Sequence, residues 1–205
     1  LNPSLPFVDD SIPGSCPQEY SIRRIWTATD GCGNAVKDTQ VVSVTDKTPP
    51  VISGVGADKT GECPGRPSFD SPTASDACDP NPTLTHADDS IPGSCPQEYS
   101  IRRIWTATDG CGNAVKDTQL VSVTDNTPPV LSGCPTNATY TCLSQVPAPP
   151  HVTATDACAG SVTPVYTQTP ANPTSSCNAT ITRKWVVTDL CGNKDSCMQT
   201  IDVND

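Results

Sequence analysis

Aromatic rings are scarce in this sequence: three Trp, four Tyr and two Phe among 205 residues. Packing alone is therefore a thin source of stability. Histidine is scarcer still, with only His86 and His151. They fall at unrelated places, so no Ser-His-Asp set or histidine metal cluster can be assembled from them. Both read as solvated strand or loop residues, and the chain does not read as an enzyme. Lys and Arg number 12 against 22 Asp and Glu, a net charge of −10. That balance argues against nucleic acid and anionic membrane surfaces, which need clustered cations; Arg102-Arg103 is a pair, not a patch. No apolar run reaches the roughly 18 residues of a membrane helix. No window carries the 3.6-residue apolar period of a helix either.

What the chain has instead is repetition. Residues 9–54 recur as 88–133 with differences only at Val41/Leu120, Lys47/Asn126 and Ile52/Leu131. Tyr99-Ser-Ile-Arg-Arg-Ile-Trp-Thr-Ala-Thr-Asp-Gly-Cys-Gly-Asn113 copies Tyr20–Asn34 and returns, altered, as Thr180–Asn193. Aligning Trp26, Trp105 and Trp185 sets a unit of about 80 residues. Three repeats result: a partial one over 1–48, a second over 49–127 and a third over 128–205. Residues 1–8 align with Pro80–Ala87, so the first repeat lacks the equivalents of Cys63 and Cys78. The expectation is a window cut from a longer array, or a half-module completed by a neighbour.

Strand signals dominate: runs of Thr, Val, Ile and Tyr broken by Pro, Gly, Asp and Asn. Tyr99–Thr108 predicts a long strand with Tyr99, Ile101, Arg103, Trp105 and Ala107 on one face. Lys184 replaces Ile104 in the third repeat while Ile181, Arg183 and Trp185 are kept, so the Trp face is the core face. Asp109-Gly-Cys-Gly-Asn113 is a turn leading into Val115–Val123. Val51–Ser53, Asp58–Cys63 and Thr83–Ala87 are shorter candidates. The pattern predicts an all-β chain of tandem, small, disulfide-rich, immunoglobulin-like antiparallel β-sandwiches. Thr45–Pro50 and Thr124–Pro129 end the modules in Pro-Pro, which favours short, stiff linkers and a semi-rigid rod.

Twelve cysteines read as disulfides, because zinc wants C-x-x-C spacing and none occurs. Within the middle repeat, Cys95 and Cys111 flank the long strand, too far apart to bond. That removes 95–111 with 63–78. Of the two remaining schemes, Cys78–Cys111 with Cys63–Cys95 is preferred over its alternative because Cys78 and Cys111 share a Thr-Ala-x-Asp-x-Cys context. The third repeat then follows as Cys158–Cys191 and Cys142–Cys177. Cys134 and Cys197 are extra to the third repeat and are expected to pair with each other. Such chemistry calls for export, with a signal expected upstream.

Asp109 with Asn113, and Asp125 with Asp88 or Asp89, are candidate oxygen ligands for calcium. The competing reading is turn capping; otherwise no cofactor is expected. Asn137-Ala-Thr and Asn178-Ala-Thr are N-glycosylation sequons. Arg103 is expected to stack on Trp105 at the core edge.

Pro128-Pro-Val-Leu-Ser-Gly-Cys-Pro, Thr153-Ala-Thr-Asp-Ala-Cys, Thr188-Asp-Leu-Cys-Gly-Asn and Ser196-Cys-Met-Gln-Thr-Ile-Asp-Val resemble the HYR (hyalin repeat) and related immunoglobulin-like modules. The near-identical neighbouring repeats resemble, more loosely, algal surface-filament proteins of the mastigoneme type. The first resemblance implies extracellular adhesion or scaffold roles without catalytic residues. The expected function is a structural segment of an extracellular filament, sheath or cell-surface stalk that contacts copies of itself. The alternative is an adhesin or receptor segment that binds glycan or protein through its loops.

Overall fold

The computed structural model describes residues 5–171 and 178–204. Among them, regular structure is all strand apart from one 3-10 turn at Leu143–Gln145. The first repeat forms an antiparallel sheet of β1 (Phe7–Pro13), β2 (Tyr20–Thr29) and β3 (Ala35–Val44), in that order. The middle repeat contributes β4 (Val51–Ser53), β5 (Lys59–Glu62), β6 (Thr73–Ser75), β7 (Thr83–Pro92), β8 (Tyr99–Thr108) and β9 (Ala114–Thr124). Its sheets are β4-β6 and β5-β9-β8-β7.

The third repeat has β10 (Val130–Ser132), β11 (Ala138–Tyr140), β12 (Thr153–Asp156), β13 (Gly160–Val162), β14 (Val165–Thr169), β15 (Ala179–Thr188) and β16 (Lys194–Val203). These make a three-stranded sheet, β10-β12-β13, and a four-stranded one, β11-β16-β15-β14. The pairing is not wholly antiparallel, as the sequence had implied. β11 runs parallel to β16 and β5 parallel to β9. β11 follows β10, which lies in the other sheet. The chain thus reaches β16 by a crossover rather than a hairpin, and crossovers deliver parallel neighbours.

The hairpin turn after the long strand is fixed by its own residues. Asp109 Oδ1 accepts the backbone N–H groups of Cys111 and Asn113 at 2.9 and 2.8 Å. Gly112 sits at φ 90°, where a side chain would be strained. Beyond the turn, alternation selects the face. Ile181, Arg183, Trp185 and Val187 are buried, whereas Lys184 between them is exposed. Ile201 and Val203 of β16 meet them from the paired strand, with Val152 and Ala154 also buried. Each large apolar side chain buried this way contributes about 1.5–3 kcal/mol.

The chain packs as two compact units. One holds the described residues up to Ala57 with Phe69–Asp89 and Arg103–Gln119; the other holds Asp58–Ser68, Ser90–Arg102 and the described residues from Leu120 onward. Identical sequence is buried differently in the two. Val121 and Val123 are each 4% exposed, but their first-repeat equivalents Val42 and Val44 are 51% and 38% exposed. The reason is local: β5 pairs along β9 at Val121–Thr124, while β3 has β2 alone beside it among the described residues.

Candidate functional site

Cysteine pairing is where the structure departs most from the expected scheme. In the first unit Cys16 bonds Cys111, with Cα atoms 5.0 Å apart. In the second, Cys63 bonds Cys158 and Cys95 bonds Cys191, at Cα separations of 5.5 and 5.1 Å. Cys134 and Cys197 are also joined, at 6.3 Å. The expected Cys78–Cys111, Cys63–Cys95 and Cys158–Cys191 bonds are therefore not the ones formed. Their premise was that partners share a repeat. The long strand does hold Cys95 and Cys111 at opposite ends, but the sulfurs that reach each of them belong to the next or preceding repeat. Cys32, Cys78 and Cys142 are exposed thiols. The Cys142–Cys177 pairing involves Cys177, which lies outside the described residues.

Beside the Cys63–Cys158 bond, three buried aspartates converge. Asp125 follows β9, Asp156 ends β12, and Asp189 follows β15; they are 3%, 7% and 6% exposed. One carboxylate oxygen from each lies within 4.8 Å of the others. Asp189 is the cap of its turn: its Oδ1 accepts the N–H groups of Cys191 and Asn193 at 2.9 and 2.8 Å, and its Oδ2 accepts Asn193 Nδ2 at 2.9 Å. Asn193 Nδ2 also donates to Asp125 O at 2.9 Å, pinning the linker to the turn. In the first unit Asn113 Nδ2 reaches Asp46 O in the same way, at 3.1 Å. Asp156 Oδ1 accepts Cys158 and Ala159 N–H, both at 2.7 Å. Asp125 Oδ1 accepts Thr127 N–H at 3.4 Å. The second oxygens, Asp125 Oδ2 and Asp156 Oδ2, are buried without a hydrogen-bond partner.

These environments move the carboxyls apart in acidity. Burial raises Asp125, and the neighbouring charges of Asp156, Asp189 and Glu62 push the same way against one backbone hydrogen bond from Thr127. Burial also pushes Asp189 up, but donors from Asn193, Cys191 and Gly192 together hold it below the ordinary carboxylate range. Asp109 behaves alike, with Asn113 its principal donor.

Of the expected ligands, Asp109 and Asn113 do come together, Asn113 Nδ2 donating to Asp109 Oδ2 at 2.8 Å. Asp125 gathers with Asp156 and Asp189, and the Asp88 carboxylate is engaged by a cation. Arg103 takes that carboxylate in a 2.7 Å ion pair and lies over the Phe69 ring at 4.1 Å, nearer than Trp105 at 5.5 Å. Arg103 thus lies over Trp105 as expected, and the Trp105 ring also has His86 at 4.9 Å. His151 lines an open groove with Pro149, Tyr166 and Trp185. Asn137 and Asn178 are both exposed. Sequence reasoning missed Asp156 and Asp189, although the Asp-x-Cys step that carries them recurs as Asp76-Ala-Cys78, Asp109-Gly-Cys111, Asp156-Ala-Cys158 and Asp189-Leu-Cys191.

No curated protein matches the chain in sequence. Among solved structures, Drosophila N-cadherin EC1-4 is similar at 11% identity and a TM-score of 0.35, over 100% of this chain and 67% of that one. Protocadherin Gamma C5 EC1-3 is similar at 12% identity and a TM-score of 0.38, over 92% and 78%. At these scores neither likeness carries a ligand or partner across. Residues 130–203, which span the third repeat, match the family described as the HYR-like domain with 4 cysteines.

Proposed function

We propose that the chain is a stretch of an extracellular structural array, a filament, sheath or cell-surface stalk, whose repeats are laced together by cystines and associate with copies of themselves. The observation that carries this reading is register. Cys16 is equivalent to Cys95 and Cys111 to Cys191, so Cys16–Cys111 and Cys95–Cys191 are the same bond, each joining one repeat to the next. A bond that recurs with the repeat belongs to the array rather than to any one module. Cystines of this kind persist in oxidising, extracellular surroundings. Exposure of the sequon residues Asn137 and Asn178 supports glycan attachment there, and loss of mass on endoglycosidase treatment checks that.

The thiols fit the same register. Cys78 is equivalent to Cys158, and Cys142 to Cys63, so they are the two halves of the Cys63–Cys158 bond shifted by one repeat in either direction. The setting of Cys78 supports this, since its sulfur clusters with Asp46 and Asp76 as that of Cys158 does with Asp125. Val42 and Val44 of β3 are exposed, whereas their equivalents Val121 and Val123 in β9 are covered by β5 of their own repeat. Closure needs an oxidant: two thiols and one glutathione disulfide give one cystine and two glutathione thiols.

The test is to hold the purified chain at high concentration in a glutathione redox buffer and map its cystines by mass spectrometry. The expected product is a head-to-tail oligomer containing a Cys78–Cys142 peptide, absent from the Cys78→Ser variant. Cys78 joined to Cys32, Cys142 joined to Cys142, or both left as thiols would overturn the reading. Small-angle scattering of the oligomer is expected to report an elongated particle; a globule counts against an array.

A further inference from the structure

The aspartates beside the Cys63–Cys158 bond pose a problem that the lacing does not explain. Three carboxylates are buried within 4.8 Å of one another, and among the described residues none has a Lys or Arg partner. Turn capping accounts for Asp189 completely, and for one oxygen each of Asp125 and Asp156. It leaves Asp125 Oδ2 and Asp156 Oδ2 buried and unpartnered on two members of the cluster. An unpaired buried charge is among the costliest arrangements a fold can keep. It persists where something supplies the missing positive charge.

We propose that Asp125, Asp156 and Asp189 hold a divalent cation of the calcium class. Spacing fits: oxygens that share one ion at about 2.3–2.6 Å stand no farther apart than about 5 Å, and these meet that limit. The donor set selects the ion. Every donor at hand is a carboxylate oxygen, because the nearby sulfurs of Cys63 and Cys158 are bonded to each other and have no thiolate to offer zinc. Hard oxygen sets suit Ca²⁺, whose flexible coordination accepts an irregular trio with solvent completing the shell, better than Mg²⁺ with its strict octahedron. Burial and, after it, the charges of Asp156 and Asp189 make Asp125 hard to ionise, and a bound cation offsets both.

The ion also does something for the fold. Asp125 belongs to the linker after β9, whereas Asp156 and Asp189 belong to the third repeat. A cation shared among them ties that linker to the module it enters, in parallel with the Cys63–Cys158 bond and the Asn193–Asp125 hydrogen bond. The proposal goes beyond the array reading and is tested separately from it, on the single oxidised chain.

Calcium chloride titrated by calorimetry into the chelator-stripped, oxidised chain is expected to show saturable binding with Kd on the order of 10⁻⁴–10⁻³ M, the range of extracellular calcium modules. Melting temperature should rise with calcium concentration. Asp156→Asn and Asp125→Asn, each checked for intact Cys63–Cys158 and Cys95–Cys191 cystines, should weaken that binding at least tenfold. Absence of saturable binding up to tens of millimolar calcium would overturn the proposal. So would equal affinity in both variants, or carboxyl NMR showing Asp125 protonated at neutral pH in saturating calcium.

Discussion

Gln119 and Asp70, 49 residues apart, hold each other by two hydrogen bonds. Gln119 Nε2 donates to Asp70 Oδ2 at 2.6 Å, and the backbone N–H of Asp70 donates to Gln119 Oε1 at 3.2 Å. Nε2 also donates to Ala57 O at 3.0 Å. The amide is fully buried, so these bonds are what permit a polar side chain there. Gln119→Ala is expected to destabilise the chain by about 2–4 kcal/mol, since it removes the amide and strips partners from buried groups. Gln199, its third-repeat equivalent, donates only to Thr136 O, at 2.7 Å, and leaves Oε1 unpartnered. Gln199→Ala should cost less. Chemical denaturation of both oxidised variants decides; equal costs would discount the Asp70 pair.

Gly56 makes room for that pair. A Cβ there would collide with Asp70 Oδ2 and press on Gln119 Nε2. Gly56→Ala is expected to cost about 1–3 kcal/mol through overpacking, and much less in an Asp70→Gly background. A double-mutant cycle by denaturation measures the coupling.

Cys63→Ser opens one cystine and leaves the Cys158 thiol beside Asp125. Closing a chain loop of 95 residues restrains the unfolded state strongly, and loss of such a bond costs about 2–5 kcal/mol. The denaturation midpoint should fall accordingly. Peptide mapping after alkylation should find label on Cys158 and none on Cys95 or Cys191.

Cys78 is expected to alkylate slowly. Partial desolvation of this exposed sulfur by the surrounding protein, followed by the negative charges of Asp46, Asp76 and Asp109, raises its thiol above the ordinary range, so less thiolate is present at pH 8 than a free cysteine has. Its labelling rate should keep climbing above the usual thiol midpoint near pH 8.5. Asp46→Asn should shift the profile to lower pH; an unshifted profile in that variant would remove the electrostatic cause.

Acid unfolding should separate two aspartates of one cluster. The carboxyl of Asp189 is held low in the fold. The stability it contributes is thus complete above its unfolded value near 3.9 and is lost as pH falls through its folded one. Asp125 is raised, so without cation its penalty is relieved as pH falls toward about 3.9 from above. Melting curves across pH 2–7 on the chelated protein are expected to lose steepness at the acid end in Asp189→Asn. In Asp125→Asn the change should lie on the less acid side.

How far the sequence reached follows from what a period can and cannot encode. Alternation along Tyr99–Thr108, together with the Lys184 substitution, sufficed to orient Trp105, because side-chain direction within one strand is a local property. The joint appearance of Cys134 and Cys197 in one repeat pointed to a pairing inside that repeat. Partners elsewhere are set by which repeat a sulfur reaches, and near-identical repeats offer equivalent cysteines to choose from. Strand length rules out Cys95 as the partner of Cys111, but nothing in the sequence says whether Cys111 takes Cys78 of its own repeat or Cys16 of the preceding one. The aspartate cluster was hidden likewise. Asp125 lies in a linker and Asp156 and Asp189 in turns, each a capping residue on its own, and only tertiary packing brings their carboxylates together.

Cystines between repeats change what a break in the backbone means. Cleavage at residues 126–128, in the linker before Pro129, would separate two polypeptides that Cys63–Cys158 and Cys95–Cys191 still join. The strand of protein outlives its own severed peptide bond, and a protease frees nothing until a reductant acts as well. Pulling meets the same arrangement. Tension passes from one repeat to another through sulfur, and most of the contour length is withheld from extension. A chain built this way resists both cutting and stretching by one device, repeated at every step.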